Sequence, residues 1–140
     1  MILQVGDKQY TLDPDDFSVD ASNITPDLCK IGADMLNYGA LEAQLRTEIA
    51  SKEAQLEKLK ADLDTQIRAK AMSDGDKLTE PKIVHKIARD PAYHTLLTSL
   101  RVSRENFNVM RWVMIALQKK TDILISLAYR ERQLMKADSF

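Results

Sequence analysis

Apolar residues recur along two long stretches of the chain at spacings that alternate between three and four. Nine of the twelve positions in the first stretch and ten of the thirteen in the second are apolar. This is the heptad spacing of helices that pack along a seam. The first seam consists of Leu28, Ile31, Met35, Tyr38, Glu42, Leu45, Ile49, Lys52, Leu56, Leu59, Leu63 and Gln66. The second consists of Tyr93, Leu96, Leu100, Ser103, Phe107, Met110, Met114, Leu117, Thr121, Leu124, Ala128, Glu131 and Met135.

Each seam follows a residue that suits the start of a helix. Thr25 and Asp90 are plausible N-caps, and each is followed by a proline, which is favoured in the first helical position. The pattern predicts helices over residues 26 to about 70 and 91 to about 136. At 1.5 Å per residue both would be roughly 68 Å long. Matched lengths and a compact connection predict a long antiparallel, coiled-coil-like helical hairpin rather than a continuous rod.

A shorter segment, residues 1–23, precedes the helical hairpin domain of residues 24–140. The sequence "MILQVGDKQYTL" predicts a β-hairpin, since Gly6-Asp7 suits a two-residue turn between strand-forming residues. Residues 13–23 form an acidic linker, and we expect Phe17 and Val19 to pack it on a helix. A lone hairpin is marginally stable in water, so it must also pack on another element.

The connection between the long helices, residues 68–93, is more than a turn. Thr79 can cap a short helix in which Ile83, Val84 and Ile87 point one way. Three cations point the other way, with further cations nearby. A row of cations can follow a phosphate backbone, whereas the alternative is a solvated helix face. The cations are Lys82, Lys86 and Arg89, flanked by Arg68, Lys70 and Lys77.

The second long helix also carries apolar residues away from its seam. A helix that is apolar on several faces needs a second partner. The β-hairpin could cover part of this surface, but we expect self-association, with Trp112 as its most informative residue. The predicted oligomer interface consists of Trp112, Val113, Ile115, Ile123 and Leu127.

The composition and charge of the chain reduce the number of functional classes to consider. The chain has a net charge of −1, but residues 1–27 sum to −5 and residues 66–140 to +6, so its second half is basic. The single Cys29 excludes an intramolecular disulfide and suggests a reducing compartment. No phosphate-loop spacing, calcium loop or Cys/His cluster is present. We therefore expect a soluble, cytoplasmic protein that is not an enzyme, with no cofactor and no metal.

Four stretches together carry a resemblance to a known family. They are "DLCKIGADMLNYGAL", "LEKLKADLD", "LTEPKIVHKIARDPAY" and "LQKKTDILISLAYRER", in this order over residues 24–136. The chain resembles the phage recombination mediators of the UvsY-like type. The resemblance implies a homo-oligomer that binds single-stranded DNA in the cytoplasm of a phage host. A ring is one form that this oligomer could take. It also implies a RecA-type recombinase and a single-strand-binding protein as partners, and neither catalysis nor a membrane.

The chain departs from the family pattern at two places. Where the family pairs a Lys with a nearby Arg, this chain has Lys60 followed by Asp62, and the basic residues Arg68 and Lys70 come later. The resemblance adds Lys60 to the predicted DNA contacts but leaves their exact set open. Residues 1–23 have no place in the pattern. They could bind a partner, or they could compete with DNA for the basic surface, in which case their deletion would tighten DNA binding.

A rival interpretation comes from a different class of protein. A helical-hairpin assembly chaperone or scaffold would use the β-hairpin and the exposed apolar stripe to bind a protein and would ignore DNA. Reversing the charges of Lys82, Lys86 and Arg89 separates the two classes, because only a mediator would lose DNA binding.

Overall fold

The computed structural model describes residues 1–139, and these form a helical hairpin with a short connecting helix and an N-terminal β-hairpin. The predicted fold class is thus confirmed. Each long helix extends a few residues beyond its predicted bounds. The elements are the strands β1 (Ile2–Val5) and β2 (Lys8–Thr11), a 3-10 turn (Pro14–Phe17), and the helices α1 (Ile24–Asp74), α2 (Glu80–Arg89) and α3 (Pro91–Asp138).

Helix α1 begins one residue before the predicted cap. The backbone oxygen of Asn23 accepts a hydrogen bond from the backbone amide of Asp27 at 3.2 Å. The side-chain amide of Asn23 donates to the Asp27 carboxylate at 3.1 Å. Thr25 lies inside the helix, so its prediction as N-cap was wrong. Asn is as good a cap as Thr, and the Asp27 carboxylate also favours the positive helix end.

The C-terminal end of α1 is closed by a glycine. Gly75 has a φ of 72°, and the Asp76 amide donates to the Ala71 oxygen at 2.9 Å. The Gly75 amide donates to the Met72 oxygen at 3.4 Å, which completes a Schellman motif. A residue with a Cβ would be strained at this φ, so Gly75 determines where α1 stops.

The chain divides into two compact units, and the first contains residues Met1–Leu45 and the part of α3 from Asn106 onward. The β-hairpin turns at Gly6, whose φ of 59° fits the first central position of a type II′ turn. Its side chains Leu3 and Val5 are buried. The Asn106 side chain donates to the Gln4 oxygen at 2.7 Å. The core of this unit consists of Leu3, Val5, Leu12, Ile24, Ile31, Leu45, Met110, Val113, Leu117 and Leu124.

The acidic linker is fixed to this core. Phe17 and Val19 are half-buried against it, as predicted. Lys120 is only 8% exposed, and its ammonium group donates to the backbone oxygen of Asp16 at 2.8 Å and lies 3.9 Å from the Asp27 carboxylate. A buried lysine needs such partners, since the charge would otherwise be costly. Deleting residues 1–23 would therefore remove part of the core, and so it cannot isolate the effect of their charge.

The second unit contains residues Arg46–Glu105, that is, the remainder of α1, all of α2 and the start of α3. Two polar seam positions, Lys52 and Ser103, meet here. The Lys52 ammonium group donates a hydrogen bond to the Ser103 hydroxyl at 2.7 Å and another to the Glu48 carboxylate, also at 2.7 Å. The Ser103 hydroxyl in turn donates to the Glu48 carboxylate at 2.9 Å. A matched polar layer in an apolar seam favours one register of the two helices over others.

None of the helices within residues 1–139 is both long enough and apolar enough to cross a membrane.

Candidate nucleic-acid interface

The second unit brings three of the predicted cations around one recess. Lys70 comes from the last turns of α1, and Lys86 and Arg89 come from α2. All three residues are exposed. The recess has a volume of about 350 Å³ and is also lined by Leu63, Gln66, Ile67 and Asp90.

The apolar face of α2 determines where these cations point. Ile83 and Ile87, one helical turn apart, are 3% and 5% exposed and fix α2 to the rest of the unit. Lys86 and Arg89 therefore lie toward solvent. Val84, which was predicted to share the apolar face, is 62% exposed, so this part of the prediction was wrong. The residue lies at the margin of a ten-residue helix whose buried stripe contains only the two isoleucines.

Asp90 joins α2 to α3 without an intervening loop. Its amide donates to the Ile87 oxygen at 3.0 Å, which closes α2. Its carboxylate accepts from the Tyr93 amide at 3.0 Å, and its backbone oxygen accepts from the His94 amide at 3.0 Å. This confirms the predicted start of α3. The tight join holds Arg89 at a fixed position beside the recess.

The charges around the recess are not all positive. Within residues 1–139, neither Lys70, Lys86 nor Arg89 forms an ion pair. A second recess of about 340 Å³ shares Lys70 and Lys86 but is also lined by Asp74 and Asp76. Among the residues that line the first recess, Asp90 supplies the one carboxylate, which accepts the Tyr93 amide.

Two predicted contacts lie among carboxylates instead. The Arg68 guanidinium group donates to Glu80 at 2.7 Å and to Asp64 at 2.8 Å. These two hydrogen bonds, the one to Glu80 foremost, raise the pKa of Arg68. Lys60 lines a different recess together with Glu57, Asp64 and Glu80. Phosphate would have to compete with these carboxylates, so Arg68 and Lys60 are poorer candidates than Lys70, Lys86 and Arg89.

The remaining predicted cations, Lys77 and Lys82, are exposed. Lys77 follows Gly75 in the connection, and Lys82 lies in the first turn of α2. Tyr93, the aromatic residue closest in sequence to the cations of α2, is half-buried, so most of its ring surface is not offered for stacking on a base. The arrangement favours contacts with phosphate over contacts with bases.

On the α1 side of the recess, sequence reasoning identified Lys70 but not Leu63, Gln66 and Ile67 as site residues. Leu63, Gln66, Ile67 and Lys70 follow one another at spacings of three, one and three, which places them on one helix face. This spacing was a usable signal. The acidic neighbours Asp74 and Asp76 were not predicted as part of the site.

The predicted oligomer interface is divided between surface and core. Trp112, Ile115 and Ile123 are 71%, 44% and 49% exposed and remain available for a partner. Val113 is 7% exposed, and Leu127 is half-buried against the core of the first unit. These two side chains already have apolar neighbours within the protomer.

Comparisons with protein-family models, with curated proteins and with solved structures find no match to this chain. Within residues 1–139, no group of three or more His, Cys, Asp or Glu side chains is placed to hold a metal ion.

Proposed function

We propose that this protein binds single-stranded DNA through the recess lined by Lys70, Lys86 and Arg89. The observation that carries the proposal is the convergence of three cations without ion-pair partners from two helices on one recess. Together with the resemblance to UvsY-like mediators, it supports a recombination mediator. Such a protein would help to load a RecA-type recombinase onto DNA covered by single-strand-binding protein, and it would act as a homo-oligomer.

The number of cations limits how tightly one protomer can bind. If three phosphates are neutralised, the logarithm of the affinity should fall with the logarithm of the salt concentration with a slope of about −2. Such a contact is weak at physiological salt. An oligomer that presents several recesses to one strand would raise the overall affinity through avidity.

A protein-binding scaffold or chaperone is the second candidate. The observation in its favour is the exposed apolar surface around Trp112, since exposed apolar patches mark protein interaction sites. This candidate requires no binding of DNA.

Fluorescence anisotropy with a labelled mixed-sequence single-stranded oligonucleotide tests the proposal. We expect binding that weakens with added salt, with a slope of about −2 or steeper for an oligomer, and a lower affinity for a duplex of the same sequence. Absence of binding at low salt, from folded protein, would exclude the mediator and favour the scaffold.

A further inference from the structure

An apolar groove lies in the first unit, between the N-terminal segment and α3. It has a volume of about 410 Å³, and its walls are almost entirely apolar. Trp112, which is 71% exposed, forms part of one wall. The lining residues are Met1, Leu12, Pro14, Phe17, Val109, Trp112, Val113 and Ala116. A concave apolar surface with an exposed tryptophan is typical of a site that receives apolar side chains.

Acidic residues flank Pro14 in the wall of this groove. Pro14 lines the groove, and its neighbours Asp13 and Asp15 are exposed. Neither carboxylate forms an ion pair within the described part of the chain, whereas Asp16 is paired with Lys30 at 3.2 Å. An occupant that places cations beside its apolar side chains would therefore complement both the groove and these two carboxylates.

The last turns of α3 have this composition. Tyr129, Leu134 and Met135 are 63%, 65% and 70% exposed. The same segment carries one exposed carboxylate, that of Glu131, and three exposed cations that form no ion pair in the part of the chain described. These cations are Arg130, Arg132 and Lys136. The segment Tyr129–Lys136 thus offers apolar and basic groups on one helical element, and neither set is satisfied within the protomer.

A protomer cannot place this segment in its own groove. Trp112 and Leu134 belong to the same unbroken helix, Pro91–Asp138. At 1.5 Å per residue they are separated by roughly 33 Å along the axis. The segment can reach only the groove of a second copy.

We propose that Tyr129–Lys136 of one copy binds in the Trp112 groove of the next, with its cations facing Asp13 and Asp15. The two surfaces differ, so the contact is heterologous and generates a closed ring or an open chain. This inference deepens the proposed function, since it supplies the oligomer on which avidity for DNA rests. It is tested without DNA, so that failure of either proposal can be recognised separately.

The test uses two variants that each disable one side of the contact. Trp112→Glu damages the groove but keeps the helical segment, and Leu134→Glu damages the segment but keeps the groove. Both side chains are largely exposed, so the fold should survive, which circular dichroism would verify. Sedimentation velocity should show wild-type particles of several chains and each variant alone at the monomer mass of 15.9 kDa.

Mixing the two variants is the decisive step. An equimolar mixture retains one intact groove and one intact segment, so we expect it to form particles of two chains and nothing larger. Leu36→Glu, on α1 in the same unit at a position that is 77% exposed, serves as control and should assemble like the wild type. A monomeric wild type, a variant that assembles normally, or a mixture that stays monomeric would each overturn the proposal. The last result would point to a contact in which Trp112 meets its own counterpart.

Discussion

Reversing the charges of Lys70, Lys86 and Arg89 to Glu should reduce the affinity for single-stranded DNA at least about 100-fold at low salt. Each cation that contacts a phosphate contributes through the release of counterions, and a glutamate in its place repels the strand. The reduction can be measured by fluorescence anisotropy. Because all three side chains are exposed, the variant should keep the thermal stability of the wild type within a few degrees.

A matched variant separates the site from the total charge. Reversing Lys8, Lys58 and Arg101, which are also exposed, changes the net charge by the same amount but leaves the recess intact. We expect this control to lose no more than a few-fold in affinity. Equal losses in both variants would show that net charge, and not the recess, governs binding. Unchanged binding in the first variant would exclude the recess as the DNA site.

Truncating Leu117 to Ala should lower the free energy of unfolding by about 2–5 kcal/mol. Leu117 is completely buried at a seam position of α3, so the change both removes apolar contacts and leaves a cavity. Urea unfolding followed by circular dichroism measures the loss.

Leu134→Ala is the matched control, since it makes the same change in the same helix at a position that is 65% exposed. At a protein concentration low enough to keep the chains monomeric, it should cost less than about 0.5 kcal/mol. Similar losses for the two variants would contradict the assignment of the seam as the core.

The long helices could be predicted from sequence because their signal is repeated many times. Every position of the first seam except Gln66 is buried or half-buried, and the second seam remains so as far as Ala128. A single polar residue at a seam position does not obscure a pattern of this length. Helix ends depend on single residues, and Asn23, which ranks above Thr25 as an N-cap, lies only two residues before it.

The site was less predictable because its electrostatics depend on residues from different elements. The sequence shows Arg68 and Lys70 as equivalent cations two positions apart. In the fold, Arg68 donates a hydrogen bond to Glu80, twelve residues later in the sequence. Lys70 instead lines a recess together with Lys86 and Arg89. Which cation remains free for an anion is thus a property of the packing of α2 on α1, and no local pattern encodes it.

The N-terminal segment illustrates the same limit. Its strands, its turn and the packing of Phe17 followed from local signals. Its anchorage by Lys120 did not, because the oxygen that accepts this hydrogen bond belongs to the backbone of Asp16, 104 residues away in sequence. Residues 1–23 consequently form part of the core of the first unit, in addition to contributing acidic charge.

The central claim, that DNA lies in the recess of Lys70, Lys86 and Arg89, is tested most directly by footprinting of lysines. Brief acetylation with and without a single-stranded oligonucleotide, followed by mass spectrometry, reports how accessible each ammonium group is. We predict that DNA slows the modification of Lys70 and Lys86 and leaves Lys8 and Lys58 unchanged. Equal protection of all four, or protection of Lys8 and Lys58 alone, would contradict the account.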